Sequence, residues 1–141
     1  MPYISRPLLE ERYGLDELIQ RTDKFAPYTG AVVDAVLDRA IADAEGEIDG
    51  YVGSRYSLPL PEPVSPVLVS IACDITRYRL YDDAVTPVVR QRYEDAIARL
   101  KDIAAGRLTL GIDPASTTPA AIGVRVRSRD RVFGDDLLER Y

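Results

Sequence analysis

The sequence predicts an all-α fold: a compact bundle of four to five helices with one long central helix, followed by an extended C-terminal tail with a short β-strand. Two observations predict it. Apolar residues recur three and four apart in three separate stretches, the period of a helix with one buried stripe. Proline-led starts and turn residues separate those stretches, and the helical period stops after Gly111.

The first two helices are short. Residues 7–13, PLLEERY, fit a helix stopped by Gly14, and 15–21, LDELIQR, fit a second that fades at Thr22-Asp23. Both need docking, because isolated helices of this length are marginal in water. Pro27-Tyr28-Thr29-Gly30 reads as a turn.

The long helix is expected over about 31–56. Val33, Val36, Leu37, Ala40, Ile41, Ala44, Ile48, Tyr51 and Val52 form its stripe, while Asp34, Asp38, Asp43 and Glu47 face away. Ser57-Leu58-Pro59-Leu60-Pro61 cannot continue it, since proline lacks the amide donor and pushes the residue before it towards extended geometry. The chain is expected to leave straight and stiff, making Arg55, Tyr56, Leu58, Pro59, Leu60 and Pro61 a candidate rigid corner between helices.

Ser65 is the candidate N-cap of the next helix, with Pro66 at its first position. Its buried face is Leu68, Ile71, Ala72, Ile75 and Tyr78 or Arg79, and it runs to about Asp82. Thr86-Pro87 repeats the start signal. Val89, Tyr93, Ala96, Ile97, Leu100, Ile103 and Ala104 form the cleanest stripe in the chain, ending at Gly106.

Residues 112–123 are small, polar and proline-punctuated, and read as a linker between a helical domain (1–111) and a tail (124–141). Val124-Arg125-Val126-Arg127 alternates like a short edge strand. Arg125, Arg127, Arg129 and Arg131 at spacing two form a basic strip. It suits phosphates, a neighbour's acidic rim, or an edge strand that uses charge to resist pairing. Phe133, Leu137, Leu138 and Tyr141 are apolar anchors with no local core. The tail either docks on another protein or folds back on its own body.

Composition narrows the chemistry. A chain of 141 residues is one domain, able to bury roughly 68 to 70% of its unfolded surface without metal or disulfide. The lone Cys73 falls on an apolar helix face and reads as a buried, inert thiol. The N-terminus has no basic region leading an apolar run, and no segment approaches the roughly 20 apolar residues of a membrane span, so a soluble intracellular protein is expected. The net charge is −5, and residues 1–111 hold 18 acidic against 13 basic groups. That balance weighs against tight binding to nucleic acid, which needs a surplus of cations on one face.

The chain has no histidine, which excludes Ser-His-Asp and Cys-His nucleophiles and imidazole-based zinc sites. Residues 45–50, EGEIDG, resemble the start of a calcium loop, but the twelfth position, which needs a bidentate Glu, is Tyr56. An acidic solvated helix face is the favoured reading. Asp82-Asp83 and Asp135-Asp136 carry little catalytic weight as adjacent carboxylates in turns. No catalytic, metal or cofactor-binding residue is therefore expected. The nine tyrosines against two phenylalanines favour places where a ring packs and its hydroxyl stays wet or hydrogen-bonded, either at core margins or at subunit interfaces.

Three ordered segments, AIADAEGEIDGYVGSRYSLPLP (40–61), IACDITRYRLYDD (71–83) and RYEDAIARLKDIAAGRLTLGI (92–112), resemble the phage Mu gene product thirty-six family. The resemblance spans residues 3–112 and, more loosely, the Arg-rich end with Phe133. It implies a structural, non-enzymatic virion protein of a Mu-like phage or prophage. The expected role is a head-tail connector, an adaptor or head completion subunit in the virion neck, assembled from the host cytoplasm. The implied partners are further copies in a ring, commonly twelve-fold, the portal protein, another neck or tail-completion protein, and DNA passing through the bore without tight binding. The alternatives are a small helical nucleic-acid-binding regulator using the Arg-rich strip, and an enzyme or toxin with Asp, Glu, Tyr or Lys chemistry.

Overall fold

The computed structural model describes residues 3–114, and five helices in chain order build them. They are α1 (Arg6–Tyr13), α2 (Leu15–Thr22), α3 (Asp34–Val52), α4 (Pro66–Tyr81) and α5 (Pro87–Ala104), with one 3-10 turn at Asp82–Ala84. No strand occurs among the described residues. The sequence-predicted strand at 124–127, most of the linker and the whole tail lie outside them.

The stripes become the core. Leu37, Ala44, Ile48 and Val52 of α3 meet Leu68, Ile71, Ala72 and Ile75 of α4 and Leu100 and Ile103 of α5, all fully buried. α3 is the longest helix, but α4 is the most enclosed, packing against α3 and α5 and touched by α2. Its buried residues include Cys73, Thr76, Leu80 and Tyr81 as well as the predicted face. Of the two alternatives at the end of that face, Tyr78 is half-buried and Arg79 exposed.

α3 is shorter at both ends than the periodicity predicts, for local reasons. At its start, Val33 N–H donates to the Thr22 hydroxyl (3.0 Å), pinning 31–33 extended against α2 with Val32 buried. That geometry leaves Val36 on the outside, 37% exposed, although the stripe predicts it inside. At its end, Ser54 Oγ donates to the Tyr51 carbonyl (2.6 Å), taking up one of the acceptors a helix terminus leaves open. Arg55 N–H and Tyr56 N–H both return to the Val52 carbonyl, so the chain wraps in a turn and does not leave straight.

The two proline-led starts differ. Thr86 Oγ accepts from Val89 N–H (3.3 Å), a working N-cap. Ser65 holds the N-cap position without a side-chain bond; its carbonyl accepts from Val69 N–H instead. Beyond α5 the chain reverses at Gly106 (φ 77°) and lays Leu110 into the core. Ile112, placed in the linker by sequence, packs half-buried beside it.

Candidate interface surfaces

Tyrosine-carboxylate pairs lock the helices to one another and fix what the surface presents. Tyr13 donates to Asp74 (2.9 Å), Tyr81 to Glu17 (2.9 Å) and Tyr93 to Glu47 (2.9 Å), while Tyr3 donates its hydroxyl to Asp49 and its backbone N–H to Glu45 (2.9 Å). Arg77 forms a fork on Glu17 (2.7 and 3.2 Å) and lies over the rings of Tyr13 and Tyr81. Arg79 joins Tyr93 on Glu47 (2.9 Å), and the Tyr93 ring stacks on Tyr78 with centroids 3.9 Å apart.

These pairs correct the reading of residues 45–49 as a solvated acidic face. Glu45, Glu47 and Asp49 are half-buried acceptors on α3, and Glu47 turns inward between α4 and α5. Burial raises the Glu45 carboxyl's pKa against the opposing Tyr3 N–H. The surplus of tyrosine was the available signal, and the matching acids lay outside the apolar stripe. Residues 45–50 are continuous helix, so no calcium loop forms. Among the described residues no group of three or more His, Cys, Asp or Glu is placed to hold a metal, and no helix is long and apolar enough to cross a membrane. Cys73 is fully buried, and desolvation pushes its pKa up against the pull of Arg12.

The candidate corner sits at one end of the α3–α4 pair. Tyr56 is buried, and its hydroxyl accepts from Leu110 N–H (3.3 Å), tying the corner to the segment after α5. Arg55 packs its guanidinium over Gly106. Leu60 is buried, whereas Leu58, Pro59 and Pro61 face out. With Tyr3, Asp49 and Val64, residues Leu58, Pro59 and Leu60 line an open notch of about 260 Å³.

The opposite end carries a feature the sequence reading passed over as a plain turn. Asp23, at the end of α2, accepts the N–H groups of both Thr29 (2.9 Å) and Gly30 (2.9 Å), closing residues 24–30 into a fixed loop. Lys24 Nζ donates to the Leu80 carbonyl (2.8 Å) at the end of α4 and ties the loop down. At its tip Phe25 is 84% and Tyr28 71% exposed. Aromatic side chains are the residues protein interfaces favour, which makes these two rings candidates for contact.

The predicted contact residues Arg125, Arg127, Arg129, Arg131, Phe133, Leu137, Leu138 and Tyr141 all lie outside the described residues.

Comparison with known proteins gives a consistent match. The family described as "Bacteriophage Mu, Gp36" matches residues 3–128. The Mu-like prophage FluMu protein gp36 of Haemophilus influenzae is 36% identical over 133 residues, 94% of this chain and 92% of the relative. Gene product J of Escherichia phage Mu is 30% identical over 102 residues, 71% of this chain and 72% of the relative.

Proposed function

Since the chain belongs to the bacteriophage Mu Gp36 family, we propose that it is a head-tail connector subunit, an adaptor in the virion neck that forms a ring beneath the portal and lets DNA pass. The observation that carries this reading is the unlikeness of the two ends of the α3–α4 pair: a fixed aromatic loop at one and an apolar notch at the other. Closed rings need heterologous contacts, in which one patch meets a different patch on the next subunit. The internal tyrosine-carboxylate pairs support the role by making the body rigid enough to repeat.

The role is structural and not catalytic. The acidic body suits a conduit, because a lysine-lined bore would hold phosphates through counterion release and slow their passage. In this reading residues 124–141 dock the ring on the portal or on the next neck protein through Phe133, Leu137, Leu138 and Tyr141, with the Arg strip meeting an acidic rim.

Negative-stain imaging of the purified protein, alone and mixed with the portal of the same phage or prophage, tests the reading. Rings on the portal are expected. Persistent monomers that never bind a portal would sink it. Deleting residues 120–141 should abolish portal attachment, and unchanged particle assembly would overturn the docking role of the tail.

A further inference from the structure

We propose that the loop at residues 24–30 of one copy seats Phe25 and Tyr28 in the notch of the next copy, lined by Tyr3, Asp49, Leu58, Pro59, Leu60 and Val64. The assignment deepens the ring reading and rests on it for closure, but the pairing of these two patches can be tested separately.

Size, polarity and position support the match. The open notch measures about 260 Å³, and an apolar cavity of roughly 150 Å³ accommodates one benzene, so it takes the Phe25 ring in full with the Tyr28 ring at its rim. Its walls are prolyl and leucyl carbons, with Asp49 as the one charged lining residue. Tyr3 occupies one oxygen of that carboxylate, so the other can accept from the phenol of Tyr28 once Phe25 fills the apolar part. Charge does not oppose the match: residues 24–30, KFAPYTG, hold no acid to repel Asp49 of the notch.

The loop borders the groove with Val36, Arg39 and Ala40 near the start of α3, and the notch includes Asp49 near its end. The interval from Val36 to Asp49 is roughly 20 Å of helix rise. Two complementary patches at opposite ends join copies head to tail.

Area sets when the contact forms. Two aromatic rings bury roughly 300 to 500 Å² on their side, well short of the roughly 800 Å² per partner of a stable isolated complex. Copies therefore stay apart in dilute solution and associate when a template or ring closure engages many contacts together.

Cysteine pairing reads this directly, since Ala26 and Ser57 are exposed beside the two patches, their replacement leaves Phe25, Tyr28 and the notch lining in place, and Cys73 is buried. The double variant Ala26→Cys/Ser57→Cys, oxidised at high concentration and on the portal, should give a disulfide ladder extending past dimers. A mixture of the two single variants should give one cross-linked dimer. Phe25→Ala should lower the assembled fraction at least tenfold with the melting temperature unchanged. Portal-bound rings of the unmodified protein without a ladder from the double variant would overturn the pairing and leave the ring reading standing. A ladder without closed rings would support the pairing and sink the ring reading. Cross-linking that stops at dimers would overturn the head-to-tail pairing, and neither rings nor cross-links would overturn both.

Discussion

The Arg55 guanidinium fills the space a side chain on Gly106 would need: an ideal Cβ there would lie 2.6 Å from Arg55 Nη1. Gly106 also sits at φ 77°, where a Cβ is strained whatever the space. The pair closes the corner against the end of α5, and Tyr56 reinforces it by accepting from Leu110 N–H. Gly106→Ala should cost about 1 to 3 kcal/mol in urea denaturation, from backbone strain plus displacement of Arg55. In an Arg55→Ala background the cost should fall towards the backbone contribution alone. Equal costs in both backgrounds would show that the guanidinium contributes nothing.

The tyrosine locks predict an alkaline limit to stability. Burial, then the hydrogen bond to Glu47, pushes the Tyr93 phenol up to about 12. Burial with Asp49 raises Tyr3, and burial with Asp74 raises Tyr13. Each phenol's folded value exceeds its unfolded value near 10, so its stabilisation is fully present below pH ~10 and is lost as pH rises through the folded value. Urea midpoints should decline gently above about pH 8.5, where the unfolded Cys73 thiol begins to ionise, and fall steeply above about 10. Tyr93→Phe should make that fall shallower, and a midpoint insensitive to pH up to 11.5 would refute the linkage.

What was legible in the sequence follows from the range of the interactions. The stripes of α3, α4 and α5 are local and periodic, so helix existence and the buried positions of α3 and α5 could be read off directly, whereas α4, enclosed on more sides, also buries Thr76, Leu80 and Tyr81 outside its predicted face. Helix ends were less legible, because the Thr22–Val33 bond and the Ser54 cap are set by tertiary and turn contacts that outweigh periodicity. The inward role of Glu47 was hidden for a related reason: its partners Arg79 and Tyr93 lie 32 and 46 residues away. The loop at 24–30 read as a turn, and only its exposure shows Phe25 and Tyr28 standing clear of the body.

Arg77 joins α4 to α2 through Glu17, both side chains about one-fifth exposed, while its plane covers Tyr13 and Tyr81. A lysine offers no fork and no plane. Arg77→Lys should therefore destabilise the protein nearly as much as Arg77→Ala, by about 1 to 3 kcal/mol each. Amide exchange should quicken in α1 and α2 before α3 to α5. A lysine variant as stable as the parent would show that charge alone suffices.

Asp82 ends α4 at φ 48° and ψ −114°, the only non-glycine with positive φ among the described residues. Its side chain is exposed and accepts no protein hydrogen bond among the described residues, so the strain has no local compensation. The turn it makes carries the chain from α4 towards α5 beside the groove bordered by Phe25. Glycine adopts this backbone without a Cβ penalty but adds entropy to the unfolded chain, two opposed effects in which relief of strain is the larger. Asp82→Gly should stabilise by about 1 kcal/mol, while Asp82→Ala, which keeps the Cβ, should not. Equal stability of the two variants would place any gain in the lost charge instead of the backbone.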